Sequence, residues 1–461
     1  MRKLALLLIA LAALPLAAQN TDIESLSGLQ FNFGNPGARS LGMGGAFLGL
    51  ADDASAAEAN PAGLTILRKP EVSVEARNFQ EQQVFSTSGT YPDISRTAFS
   101  HYSQRLDVTF ASFVYPIKNF TIGAYYHEPL RNEGGGQVVP ERNNLTGQIK
   151  TNVPDFYLPT DGVSGPVSRQ ACIDLNNKNP TKVACSGYSI LPFLSAVDIH
   201  EKTFGLALAY KFGKLSVGGT ARYHRFGETA FTFRVNDTFD FDSISVQATS
   251  DITNNNQTAK DVTDITFAGG FKFEVNDKLS FGGVYKQGAK YKTPTFAANT
   301  TTNFAFVKVA DTTFHIPDVY GVGVSFRPIP VLTLNADAVR VKYSNLTDQF
   351  VSINEAVRSA GNPFVTNDII EYHLGAEYFF STKIPFAIRA GAWRDPAHTL
   401  QYVGPLNDPN RVAAAILFPK TKDQTHLSIG AGLAWPRFQV DAAYDRSTLF
   451  RVGSMSAVVR F

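Results

Sequence analysis

From residue 70 onward, hydrophobic and polar residues alternate with a period of two. In 204–210 the large apolar side chains are Phe204, Leu206, Leu208 and Tyr210, with Gly205, Ala207 and Ala209 between them. In 370–378 Ile370, Tyr372, Leu374 and Tyr378 alternate with Glu371, His373 and Glu377, and in 426–433 Leu427, Ile429 and Leu433 alternate with His426, Ser428 and glycines. This period belongs to a pleated strand with one face against an apolar medium. Fourteen such runs occur, at about 70–84, 104–116, 119–131, 200–213, 214–235, 264–277, 278–296, 317–328, 331–344, 367–381, 384–395, 423–436, 437–447 and 450–461. An even number suits a closed antiparallel barrel, which leaves no edge strand.

The connections sort into two kinds. Tight turns fall at 116–119, 212–214, 275–278, 328–330, 382–384 and 435–437. Long segments alternate with them at 85–103, 132–199, 236–263, 297–316, 345–366 and 396–422, and only the last connection, Asp445 to Phe450, departs from the rule. Short turns at one end and long loops at the other belong to outer-membrane barrels. A secreted sandwich or propeller also has many strands, without this strict alternation. The expected fold is therefore all-β, a 14-stranded antiparallel transmembrane β-barrel. Phe461 closes the chain in phase with Met455, Ala457 and Val459, and a terminal Phe on an alternating strand resembles the signal read by the outer-membrane assembly machinery.

Composition narrows the class further. Charged residues make up 18%, below the roughly 25% of soluble domains, while aromatic residues reach 12%. Met1-Arg2-Lys3 precedes an apolar run from Leu4 to Ala18, which reads as a secretory signal peptide over 1–18, cut after Ala18. An uncleaved anchor is the rival reading, but the run is short for a span of about 20 residues. No Cys follows the run, so a lipid anchor is disfavoured. Without Arg2 and Lys3 the chain carries 40 basic and 40 acidic residues. Nothing in that balance would attract nucleic acid. The expected organisation is 1–18 signal peptide, 19–69 an N-terminal compact segment and 70–461 barrel, placed in the bacterial outer membrane in contact with its lipid.

Segment 132–199 is the longest loop; it begins with Gly134-Gly135-Gly136 and holds Cys172 and Cys185, the chain's two cysteines. An even pair in an exported chain reads as one disulfide, and closing such a loop would restrict the unfolded chain by about 3 kcal/mol. A metal site is the rival, without a neighbouring His to support it. Two apolar patches, 154–159 and 190–194, either pack the loop onto the rim or form a groove for an apolar ligand.

Residues 19–69 do not read as strands. Ser55 to Glu58 has the spacing of a capping box, the Ala-rich stretch 54–59 suits one or two helical turns, and Pro61 and Gly63 end it. Gly42-Met43-Gly44-Gly45 is not a phosphate loop, since Phe47 stands where a dinucleotide fingerprint needs its third Gly and no Gly-Lys-Ser/Thr follows. The runs "GARSLGMGGAF", "ADDASA" and "NPAGL" resemble the N-terminal hatch of the FadL/TodX family of outer-membrane transporters. The resemblance extends over hatch, fourteen strands and terminal Phe. It implies a hatch that plugs the lumen, entry of long-chain fatty acids or aromatic hydrocarbons from outside, and their lateral release through the wall. The family's hatch motif falls on Asn60, Pro61 and Ala62. Position 58 departs, with Glu where relatives often have an aromatic residue. A sub-branch of the fold captures protein cargo for a secretion system, and it shares the "GARSLGMGGA" run.

Strand parity directs Arg222, His224, Lys272, Glu274, Lys286, Lys290, Glu371, His373, Glu377, Arg389 and His426 inward. A fatty acid needs a cation for its carboxylate, and Lys286, Lys290, Arg222 and Arg389 are the candidates. Their rival role is pairing with Glu274, Glu371 and Glu377 along a polar wall. A lateral exit needs a break in strand pairing, for which Gly218-Gly219, Gly282-Gly283 and Pro116, Pro129 and Pro385 are possible places. His426 and Ser428 share a face, but no G-x-S-x-G elbow accompanies them. No enzyme, cofactor or metal is expected. The expected function is passive outer-membrane transport of hydrophobic compounds, most simply long-chain fatty acids, with cell-surface capture of protein cargo as the alternative.

Overall fold

A computed structural model describes residues 34–85, 99–138, 156–188, 193–235, 252–298, 307–348 and 363–461. The expected signal peptide and Ile190–Pro192 of the second loop patch lie outside these. The chain forms β1 (Glu71–Phe85), β2 (Phe99–Ile117), β3 (Phe120–Val138), β4 (Phe156–Pro159), β5 (Cys185–Tyr188), β6 (Phe193–Phe212), β7 (Leu215–Val235) and β8 (Ile252–Asn276). It continues with β9 (Leu279–Lys286), β10 (Lys290–Ala298), β11 (Val307–His315), β12 (Val319–Ile329), β13 (Leu332–Val341), β14 (Phe364–Val365) and β15 (Ile369–Phe380). The last are β16 (Phe386–Asp395), β17 (Gln401–Tyr402), β18 (Gln424–Ala434), β19 (Phe438–Arg446) and β20 (Phe450–Arg460).

Fourteen of these strands close a ring. The order runs β1, β2, β3, β6, β7, β8, β9, β12, β13, β15, β16, β18, β19, β20, and β20 pairs antiparallel with β1 from Glu71↔Arg460 to Glu81↔Phe450. All fourteen runs expected from alternation are present. One is interrupted: the stretch expected over 278–296 splits into β9 and β10 around Gln287-Gly288-Ala289. The long connection 132–199 is shorter than alternation suggests, because β3 extends to Val138 and β6 begins at Phe193.

The two faces of the wall separate as the alternation requires. Phe204, Leu206, Leu208, Ile370, Tyr372, Leu374, Leu427 and Ile429 are exposed on the outside. Arg222, His224, Glu371, His373, Glu377, Arg389 and His426 are buried on the inside. An apolar outer belt on a closed barrel is a surface made for lipid. No described helix is long and apolar enough to cross a membrane.

Residues 34–69 pack against the inner face. They form α1 (Ala38–Gly42), α2 (Ala56–Ala59) and a 3₁₀ turn over Pro61–Ile66. The expected capping box is not made: Ser55 bonds Asp53 instead, and Glu58 turns its carboxylate to the wall. Small residues on the wall let this segment approach closely. A Cβ on Gly282 would lie 2.0 Å from the Leu48 carbonyl oxygen, and one on Gly218 would lie 2.6 Å from the Ala62 nitrogen.

Above the long-loop end, β4 and β5 pair beside α3 (Arg169–Lys178), whose Cys172 forms a disulfide with Cys185. Phe156 and Leu158 of the first loop patch are buried there. Chain order then places α4 (Asn345–Asp348) and α5 (Pro409–Leu417) in later loops. Asn407 Nδ2 donates to the Gly162 carbonyl at 2.7 Å, joining two of the loops.

Gly282→Val drives a side chain into the Leu48 backbone, and overpacking of this kind costs about 1–3 kcal/mol. Faster proteolytic cleavage within residues 34–69 of the folded barrel is expected. Gly269→Ala, where the added Cβ would come no nearer than 3.9 Å to the Gly218 oxygen, is the control and should leave cleavage unchanged.

Candidate functional site

The site is built where α2 meets β3, β7 and β9. A short helix in an Ala-rich segment carries Glu58 into the barrel, and its residue is only 3% exposed. Lys286 Nζ donates to Glu58 Oε1 at 3.0 Å. Arg222 Nη2 lies 3.6 Å from the same oxygen, His127 Nδ1 lies 3.9 Å away, and the Tyr125 hydroxyl donates to Oε2. Burial by itself raises a carboxyl pKa. Here Arg222, then Lys286 and His127, with the Tyr125 hydrogen bond, outweigh it and hold Glu58 well below the usual carboxylate range.

Of the four cations selected by parity, the structure brings two together. Arg222 and Lys286 share Glu58. Arg389 belongs to a second network, where its Nε donates to Glu377 Oε2 at 2.7 Å and its Nη1 lies 2.8 Å from Asp441 Oδ1. Arg39 of α1 meets Glu377 at 2.8 Å and pairs with Asp52. Lys290 does not face inward: the interruption at 287–289 restarts the alternation, so Lys290 is exposed while Tyr291 is buried. Glu58, Tyr125 and His127 escape a sequence reading of cations. The available signal is a lone Glu in an apolar helix, where a buried charge needs partners.

Asn60, Pro61 and Ala62 sit beside this network. The Asn60 amide donates to the carbonyls of Leu48 (3.1 Å) and Phe271 (3.0 Å), and its oxygen accepts from Ala62 N–H. Asn60 thereby ties the internal segment to β8. Asp337 does the same on β13, accepting from the N–H groups of Phe47 (2.6 Å) and Leu48 (2.8 Å).

Beyond the network, toward the long-loop end, lies an apolar cluster. Leu130, Val197, Ile199, Phe226, Tyr291 and Phe314 belong to it, with Tyr291 stacked on Phe226 at 4.3 Å. The wall parts beside this cluster. β2 and β3 pair only between Ile117↔Phe120 and Phe110↔His127, while β2 continues along β1 and β3 continues along β6 after a register shift between His127 and Leu130. Pro129 lies in that shift and has no N–H to give a ladder. Arg131 crosses the gap to Asp107 at 3.4 Å. The other expected exit places are closed: Gly218, Gly219, Gly282 and Gly283 are paired on both sides, Pro116 pairs with Thr121, and Pro385, in the turn before β16, accepts from Ala434 N–H at 3.0 Å. Of those glycines, Gly218 and Gly282 serve as pads for the internal segment. His426 and Ser428 both bond to Asp445, at 2.6 and 2.5 Å.

No protein-family model and no curated protein matches the chain. Solved structures do. A Pseudomonas aeruginosa FadL homologue aligns with a TM-score of 0.56 at 15% identity, over 94% of this chain and 100% of that one. The monoaromatic hydrocarbon channel CymD aligns at 0.54 and 16%, over 94% and 99%. The Pseudomonas putida toluene transporter TodX aligns at 0.54 and 12%, over 93% and 99%. At such identities the likeness is one of fold, and this chain has the barrel fold of the FadL and TodX channels.

Glu58→Gln leaves two buried cations without a counter-charge, which costs about 3–5 kcal/mol. A carboxyl held low in the folded state contributes fully above its unfolded value of about 4.3, and loses that contribution only as pH falls through the lowered folded value. The difference in melting temperature between wild type and Glu58→Gln is therefore expected to stay constant from about pH 8 to about pH 5. A difference that shrinks across that window would assign the stabilisation to other groups.

Proposed function

We propose that this chain is a passive outer-membrane channel for hydrophobic compounds, in which residues 19–69 act as a hatch across the lumen and cargo leaves sideways through the wall. The observation that carries the reading is the apolar cluster of Phe226, Tyr291 and Phe314 lying beside a parting of β2 and β3 in a barrel whose outer face is apolar. The fold likeness to channels named for monoaromatic hydrocarbons and toluene supports it. The likeness to those channels lends no support to capture of protein cargo. Contact with lipid, and assembly through Phe461, which is exposed in this structure, belong to the same proposal.

Uncharged hydrocarbons are the preferred cargo, because Arg222 and Lys286 already hold the Glu58 carboxylate. A long-chain fatty acid is the second reading. Its head group suits the same two cations, but it would have to take the place of Glu58.

Uptake by cells lacking their own hydrophobic-compound channels tests both readings, with labelled toluene, labelled oleate and a small sugar as leak control. Toluene uptake above the empty-vector rate, without sugar leakage, is expected. Oleate uptake alone would move the assignment to fatty acids, and inserted protein that passes neither compound would overturn the channel reading.

A further inference from the structure

The interruption between β9 and β10 is a second parting of the wall. β8 pairs with β9 as far as Ala268↔Lys286 and meets β10 only from Gln257↔Thr295. Along 258–267 the edge of β8 that faces β9 and β10 therefore has no continuous strand beside it, while its other edge stays paired with β7. The β10–β11 hairpin turns inward instead, burying Tyr291 and Phe314 against Phe226 at 4.3 and 5.1 Å.

The parting is finished with side chains. Gln287 N–H donates to the Phe267 carbonyl at 3.0 Å, and Phe267 N–H donates to Gln287 Oε1 at 3.3 Å. Lys290 N–H donates to Asp264 Oδ2 at 2.8 Å, and Gly288 N–H to Asp318 Oδ1 at 2.7 Å. Backbone groups left bare in lipid are costly, so a break dressed in this way can persist in the membrane. On its outer side Ile265 and Phe267 are 60% and 61% exposed. The break thus opens within the apolar belt, and the exposed Arg225–Asp261 pair stands farther toward the long loops. On its inner side lies the same apolar cluster that borders the β2–β3 parting. That first parting is crossed by the Arg131–Asp107 ion pair, whereas Phe267 and Ile265 flank the second.

One carboxylate of the internal segment reaches the second parting. Lys286, the last residue before the break, donates to Glu58. Arg222 joins Glu58 to the break from the other side, since its Nη1 donates to the Gln287 carbonyl at 3.2 Å.

We propose that the β9–β10 interruption is a second side portal for uncharged apolar cargo, latched by Glu58 of the internal segment. The inference rests on the channel reading above. Withdrawal of Glu58 leaves Lys286 and Arg222 without their shared partner and frees the segment 287–289, so that cargo held among Phe226, Tyr291 and Phe314 meets the lipid between β8 and β12.

The test bridges the portal in the full chain. Asp264→Cys with Lys290→Cys is joined by oxidation or, if no disulfide forms, by a short bis-maleimide, and folding is checked by heat-modifiable migration. Toluene uptake is expected to fall several-fold on bridging and, for the disulfide, to return on reduction, with wild type given the same treatments. Glu58→Gln, or Glu58→Gln with Lys286→Met if the single variant does not fold, is expected to raise uptake several-fold without sugar leakage. Wild type that takes up toluene while the bridged protein matches it overturns the portal alone. Wild type that takes up oleate but no toluene overturns a portal for uncharged cargo, and wild type that takes up neither overturns the channel reading instead.

Discussion

A backbone that crosses lipid has to satisfy its own N–H and C=O groups, because the hydrocarbon offers no partners. In this chain the solution is a ring of fourteen antiparallel strands closed by the pairing of β20 with β1. Much else follows from that closure. It forces the strict alternation of faces, directs charge to the interior, and gives the exterior to Phe, Leu, Ile and Tyr. It also makes any departure from pairing costly, which is why the two partings deserve a functional explanation. Both are compensated locally, one by a proline that gives no N–H and an ion pair, the other by Gln287, Asp264 and Asp318.

The interior is organised by a second constraint, the pairing of buried charge. A carboxylate inside the barrel is tolerable only with counter-charges and hydrogen bonds in place. Glu58 has Lys286, Arg222 and Tyr125, while Glu377 has Arg39 and Arg389. Each network joins residues 34–69 to the wall. Glu58 comes from the internal segment and its cations from the wall; for Glu377 the carboxylate is on the wall and Arg39 comes from the segment. Close backbone contact at Gly218 and Gly282 completes the fit. Position of the internal segment and electrostatics of the wall are therefore coupled.

The same coupling bears on selectivity. Two cations facing a lumen suggest an acid as cargo when read from the wall alone. With Glu58 among them, both cations already share a carboxylate, and the adjoining surface is the aromatic and aliphatic cluster around Phe226. Under the channel proposal, cargo that carries no charge meets that cluster without any exchange of ion pairs.

Much of this was legible in the amino-acid order, because strand alternation is a local property. The period of two located all fourteen wall strands, and the contrast of short turns with long loops separated the two ends. Cysteines 172 and 185 paired as their spacing and number suggested. The candidate site was only half legible. Parity selects Arg222 and Lys286 rightly as inward, but it carries the count unbroken through Gln287-Gly288-Ala289 and so points Lys290 the wrong way. It also cannot tell a glycine that weakens a strand from one that receives another backbone, as Gly218 and Gly282 do. Which cations meet Glu58, and where the wall parts, depend on contacts between residues scores or hundreds of positions apart, such as Glu58 with Lys286. Those are decided when the ring closes around the internal segment, since closure sets which strand faces stand opposite it.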